Sequence, residues 1–382
     1  MVAAAPLRVG MVAGEASGDL LGALLLQGLR GRWPQLIADG IGGPRLQAMG
    51  FRSDAPMERL SVFGYVDALR RLPELLQIRR RLGDRLIAER PALFIGVDAP
   101  DFNFGLEQRL RQEGLKTVHF VCPSIWAWRG ERAARLKAAA DHVLCLFPFE
   151  PPLLAAHGIA ATYVGHPLAD AITPVPDPVP SRVALGIDGT GPLVALLPGS
   201  RRSEIAHLAP VMLGAASLLR AQRPDTRFVL PAAPGLRDAI AALQQRWAPN
   251  LPVTVLDGKS HAALAACDVA LVASGTATLE AALVGRPMVI TYRMSWLNWQ
   301  RMKRMAYQPW VGLPNIMAGE FVVPELIQDA ATPEALASAA LDWLDHPEAV
   351  ASVRQRFAGL HAQLRQDTAR KAGDAIATLL AA

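Results

Sequence analysis

One carboxylate and three strand-to-helix turns carry the chemistry open to this chain. Asp98 stands in ALFIGVDAPDFNFG (92–105), at the carboxyl end of an apolar run that Pro100 stops. A carboxylate placed there can serve as a general base when partial burial tunes its pKa. It can also simply bond local amides in the turn. Asp101 reads as a cap for the following helix. In MVAGEASGDLLGALL (11–25), a Gly-rich turn carries Glu15, Ser17 and Asp19. Ser17 is expected to cap the helix there, with Glu15 just ahead of it.

Anion chemistry is expected in LLPGSRRSEIAHLAP (196–210). Gly199 lets the backbone approach a ligand closely. Ser200 is expected to cap the helix, leaving first-turn amides free for an anion. Arg201 and Arg202 bring cations to the helix end where the dipole disfavours them, which argues for a phosphate. A plain turn with two solvated arginines is the alternative. A related turn follows in VALVASGTATLEAALVGRPMVI (269–290), with Ser274, Gly275 and Thr276 at a helix start. Glu280, one turn on, can accept both hydroxyls of a ribose, or merely favour the dipole. The two turns together read as a nucleotide diphosphate site.

The chain shows no D-x-D pair, no H-E-x-x-H and no G-x-S-x-G. His119 and Cys122, read as one strand, point to opposite faces. Neither a metal, a cofactor nor a Ser/Cys nucleophile is expected.

These turns need sheets to hold them. The 382 residues are 51% apolar and 19% charged, with net charge +5, which fits large cores and an acidic ligand or surface. The three cysteines, Cys122, Cys145 and Cys267, all lie in apolar stretches, as in a reducing cytoplasm. The first residues lack a secretory pattern, and no apolar run is long enough to cross a bilayer.

Strands are predicted over 7–13, 92–97, 117–122, 142–147 and 161–165, with helical patterns between them. After TPVPDPVP (173–180) the alternation restarts at 193–198, 227–232, 253–256, 269–273 and 288–292. The pattern predicts an α/β protein with two doubly wound, Rossmann-like domains facing a cleft. The expected divisions are 1–172, an extended Pro-rich linker at 173–180, 181–345, and C-terminal helices over 346–382.

Two further segments mix apolar and basic residues. SVFGYVDALRRLPELLQIRRRLGDRLI (61–87) sets Leu69, Leu72, Leu75, Leu76, Leu82 and Leu86 among six arginines. SWLNWQRMKRMAYQPW (295–310) places Trp296, Trp299 and Trp310 beside Arg301, Lys303 and Arg304. Such segments suit an anionic membrane surface. They also suit a core-facing helix with a solvated basic side, or a subunit contact. Neither segment contains a nucleic-acid-binding module.

Eight collinear stretches resemble the lipid-A-disaccharide synthases. They are GEASGD (14–19), GVDAPDFN (96–103), PSIWAWR (123–129), FPFEP (147–151), YVGHPLAD (163–170), LLPGSRRSEI (196–205), SGTATLEAAL (274–283) and LPNIMAG (313–319). The resemblance implies an inverting, metal-independent glycosyltransferase of the GT-B fold, peripheral to the inner membrane of a Gram-negative bacterium. It would join UDP-2,3-diacylglucosamine to 2,3-diacylglucosamine 1-phosphate, giving the β-1,6 disaccharide 1-phosphate and UDP.

The resemblance implies acceptor binding in the first domain and UDP-sugar binding in the second. The last helices would return to the first domain or to a partner subunit in a homodimer. Asp98 would be the base, with Glu15 assisting. Gly199, Ser200, Arg201, Ser274, Gly275, Thr276, Glu280, Asn315 and Gln328 would line the UDP-sugar site. Phe63, Leu69, Leu72, Leu76, Trp296 and Trp299 would meet acyl chains or membrane. Phe63-Gly64 stands where the family is expected to have Met-Gly. Competing readings are a UDP-N-acetylglucosamine 2-epimerase, the peptidoglycan N-acetylglucosaminyltransferase, and a non-catalytic UDP-sugar or lipid-binding module. His166, in the hinge stretch, is read as structural.

Overall fold

The computed structural model describes residues 6–60, 64–126, 132–174, 177–296, 299–300 and 309–381, with backbone alone for 64–70. The chain divides into two units, Met1–Ala171 with Leu364–Ala382, and Ile172–Gln363.

Among the described residues of the first unit, seven strands make one sheet. They are β1 (Arg8–Ala13), β2 (Ile37–Ile41), β3 (Arg52–Ser53), β4 (Leu93–Val97), β5 (Thr117–Phe120), β6 (His142–Cys145) and β7 (Ala161–Tyr163). Their order is β3-β2-β1-β4-β5-β6-β7, and every pairing is parallel. Helices cover both faces of such a sheet, so its strands read as unbroken apolar runs. Every residue of β4 is buried. Val12, Ile41, Phe94, Leu106 and Leu110 form one core, closed by Leu82 and Leu86.

The strand order reverses between β1 and β4. In open α/β sheets ligands bind beyond the strand ends at such a reversal. The register pairs Ala13 with Val97, so Gly14, Glu15 and Asp98 emerge together there.

The second unit repeats the plan. β8 (Leu193–Leu197), β9 (Arg227–Ala232), β10 (Val253–Asp257), β11 (Val269–Ala273), β12 (Met288–Tyr292) and β13 (Glu325–Ile327) make its sheet. The order is β10-β9-β8-β11-β12-β13, with the reversal between β8 and β11. The turns after these two strands are the Gly199 and Ser274 turns.

Three expectations need correction. The Pro-rich segment is not extended to its end, because a helix runs over Pro178–Ala184. Proline suits the first helical position, where no backbone donor is needed, and the Asp177 side chain accepts from the Val179 amide. The tail divides at 363/364 and not at 345/346. Thr368–Ala381 packs on the helix Ala16–Arg32, where a Cβ at Gly28 would collide with Ala369. Arg32 pairs with Asp374, and the Asp170 carboxylate accepts from the Asp367 and Thr368 amides. Strands β2, β3 and β13 were not foreseen.

Candidate active site

In the first unit the candidate site centres on Asp98. The backbone turns sharply as β4 ends, with Asp98 at φ 50° and Ala99 at φ 45°. Non-glycine residues hold the left-handed region only where their surroundings fix them. Here the Asp98 amide donates to Phe120 O (2.9 Å), and Asp98 O accepts from Asn103 Nδ2 (2.8 Å). Val121, just past β5, is also left-handed at φ 83°. Asp98, Pro100, Val121, Cys122, Pro123, Ser124 and Arg132 line a cavity of about 170 Å³.

Burial raises the Asp98 carboxyl above its ordinary range. His119 opposes the rise, Glu15 adds to it, and the Ala99 amide and Arg132 oppose it further. A carboxylate so poised takes a proton more readily than an exposed one. Beneath it, His119 Nδ1 lies 2.8 Å from Glu107 Oε1, both side chains fully buried. Gly96 is required above this pair, since a Cβ there would collide with Glu107 Oε1.

Several neighbours differ from expectation. The helix after β1 begins at Ala16 with Glu15 as its N-cap, so Ser17 does not cap it. Asp101 caps nothing; Ala99 is the N-cap, and Asp101 pairs with Arg132 at 2.8 Å. Cys122 lies outside β5, so no strand alternation relates it to His119. Asp19 accepts from the Gly43, Arg45 and Leu46 amides, fixing the turn after β2. His166 is buried, which pushes its pKa down to about 3, and its Nδ1 accepts from the Leu168 amide. That is a structural role for a neutral imidazole.

Glu150, just past the turn after β6, is buried. Its carboxylate accepts from Trp126 Nε1 (3.2 Å) and the Phe147 amide (3.0 Å), tying Trp126 to the turn after β6. Burial pushes its pKa up to about 8 against the pull of those donors. Between about pH 4.5 and about 8 only the folded chain keeps this proton, so stability falls as pH rises through that window. Glu150→Gln removes the titration. Its thermal midpoint relative to the wild type is expected to climb across that window and level off above it. A difference independent of pH would contradict this.

In the second unit the anion turn holds a surprise. Gly199 has φ 111°, and a Cβ there would collide with Glu204 Oε2. That oxygen accepts from the Ser200 amide (3.1 Å) and the Arg201 amide (3.3 Å), while Oε1 pairs with Arg201 Nη1 (3.3 Å). Ser200 therefore does not cap the helix, which starts at Arg202 with Arg201 as N-cap. The turn does gather donors around an anionic oxygen, but that oxygen is the chain's own. Tyr292, at the end of β12, feels the charges of this turn. Burial and Glu204 raise its pKa, and Arg201 lowers it.

After β11, Ser274 Oγ donates to Val311 O (2.9 Å), Gly275 is the N-cap, and Thr276 begins the helix. Glu280 is half-buried on that helix. Asn315 is fully buried, and its amide bonds Val322 N, Val323 N, Val323 O and Glu325 Oε1. Those contacts leave its side chain building the loop. Gln328 has φ 54°, accepts from Met294 N (3.2 Å), and buries Nε2 without a partner among the described residues.

The apolar-basic segments separate into two uses. Leu72 and Leu76 are 45% and 44% exposed, whereas Leu82 and Leu86 on the same helix are buried. Trp296 is 71% exposed and Trp299 half-buried. Phe63 and the Leu69 side chain lie outside the described residues.

A family model described as lipid-A-disaccharide synthetase matches residues 9–378. The chain belongs to this family. A lipid-A-disaccharide synthase of Verminephrobacter eiseniae is 56% identical, covering 99% of this chain and 98% of its own length. The synthase of Albidiferax ferrireducens is 54% identical, covering 98% and 97%. The family is one of glycosyltransferases that form the lipid A disaccharide. Among solved structures, UDP-GlcNAc 2-epimerase from Neisseria meningitidis bound to UDP-GlcNAc matches with TM-score 0.66 and 12% identity, covering 98% of this chain and 100% of its own. At that identity the likeness shows the fold, two parallel-sheet α/β domains of GT-B type, and the epimerase reading gains nothing beyond it.

Proposed function

We propose that this synthase joins UDP-2,3-diacylglucosamine to 2,3-diacylglucosamine 1-phosphate, releasing UDP. Asp98 carries the reading: a partly buried carboxylate with a raised pKa, beside a cavity past the ends of β4 and β5. It takes the proton of the acceptor 6-hydroxyl as that oxygen attacks the anomeric carbon of the donor. The bond to the UDP oxygen breaks in the same displacement, so an α-linked donor yields a β-1,6 link without a covalent enzyme intermediate. Glu15, close by, raises the Asp98 pKa and so favours its proton uptake.

The donor's UDP lies on the Gly199–Arg201 and Ser274–Thr276 turns, with Glu280 at the ribose and Gln328 Nε2 offering an unused donor. The diphosphate displaces Glu204 from the turn amides, and Arg201 then serves the leaving group. Asn315 acts by holding the 320–325 loop.

Exposed Leu72, Leu76 and Trp296 rest on an anionic membrane surface, where both lipid substrates reside. No helix among the described residues is long and apolar enough to cross a membrane. The contacts of 364–381 with the first unit, made instead between two chains, would give an exchanged homodimer.

The test is mass spectrometry of purified protein in detergent, supplied with UDP-2,3-diacylglucosamine with and without the acceptor. Acceptor-dependent disaccharide and UDP in equal amounts are expected. Conversion of UDP-N-acetylglucosamine to its 2-epimer, with no disaccharide, would sink the assignment.

A further inference from the structure

The Asp98 cavity carries a cation on its wall as well as a base. Arg132 lines it, and its side chain is 13% exposed, so the guanidinium is held in place. One turn along the helix Arg132–Ala139 stands Arg135. Arg132 and Arg135 share the carboxylate of Asp101, at 2.8 Å and 4.0 Å. Asp101 itself is 72% exposed. Arg79, on the helix Gly64–Glu89, joins them: burial and the charge of Arg135 both lower its pKa. Two guanidinium groups thus meet one solvated carboxylate, with a third beside Arg135.

The cluster is braced by the helix that follows Asp98. Arg135 lies over the Phe104 ring at 5.8 Å. Arg79 packs against Gly105, where a Cβ would lie 2.5 Å from its Nη1. The surplus positive charge therefore has a fixed place relative to the base. A phosphate monoester carries nearly two negative charges, and guanidinium groups bind it with paired hydrogen bonds.

We propose that Arg132, backed by Arg135 and Arg79, binds the phosphate of the acceptor sugar while Asp98 faces its hydroxyl. This rests on the functional reading above. One ligand would then be gripped at both ends of its ring, which orients the hydroxyl for attack. Such a grip also makes the phosphate a condition of good turnover. The donor's diphosphate is the other phosphate the reaction brings, and the test separates the two.

The experiment is steady-state kinetics of the full chain with Arg132→Met, Arg132→Lys and Arg135→Met. Each is run with the 1-phosphate acceptor and with the same diacyl sugar lacking phosphate. Arg132→Met is expected to raise KM for the phosphorylated acceptor tenfold or more, with KM for the UDP-sugar unchanged. Arg132→Lys should recover part of that loss, and the exposed Arg135→Met should show a smaller rise. The wild type should prefer the phosphorylated acceptor, and Arg132→Met should lose most of that preference. Equal losses with both acceptors, or a rise confined to the UDP-sugar KM, would overturn the inference while leaving the transferase reading intact. A wild type that makes no disaccharide from either acceptor would remove the functional reading and the inference with it.

Discussion

Asp98→Asn is expected to lower turnover by roughly 10³-fold, the scale of a lost general base, while UDP affinity stays near wild type. Asparagine nearly matches the carboxylate in size, and the bonds that set the turn use the backbone of Asp98. The loss should therefore fall on kcat. In the wild type, burial raises this carboxyl, so activity should rise with pH as the base sheds its proton. That ascending limb should vanish in the variant. Calorimetry with UDP and acceptor-dependent UDP release would check the two halves. Near wild-type turnover in Asp98→Asn would remove it from the mechanism.

Asn315→Ala is the largest expected effect on stability. The substitution strands the Val322 and Val323 amides and the Val323 carbonyl that Asn315 now satisfies. Stranded buried groups cost about 1–3 kcal/mol each, and the loop's partial relaxation reduces the sum to roughly 3 kcal/mol. For a unit of this size that lowers the thermal midpoint by about 6–12 °C. Glu325 would lose one partner and keep the Val311 and Gly312 amides. A thermal midpoint unchanged in scanning calorimetry would show that Asn315 does not hold this loop.

The candidate carboxylate was readable because β4 is uniformly apolar up to Asp98, where Pro100 forbids continuation. The same contrast marked the turns after β8 and β11. β2 escaped because IADGI interrupts its apolar pattern with Asp39 and Gly40. Asp39 is paired with Arg85 (2.7 Å), Arg8 (3.5 Å) and Arg52 (3.9 Å), all remote in sequence. β13 is three residues long, and Glu325 within it answers to Asn315 across a loop.

Helix starts were misread for one reason. Ser17 and Ser200 are good caps by type, yet the chain breaks into helix at Glu15 and Arg201 instead. At the second turn the nearest anion is Glu204, one helical turn on, and local geometry lets it reach the amides first. The Arg132–Arg135–Arg79 cluster was invisible because it joins two helices far apart in sequence.

The proposed single displacement at Asp98, between donor and acceptor sugars, would fix the stereochemistry of the new bond. NMR of the lipid product reads that bond, with purified protein acting on α-linked UDP-2,3-diacylglucosamine and the 1-phosphate acceptor. A β-1,6 link, with one UDP released for each disaccharide, is the predicted result. An α link would demand a covalent intermediate or another geometry of attack, and would contradict a single displacement at Asp98.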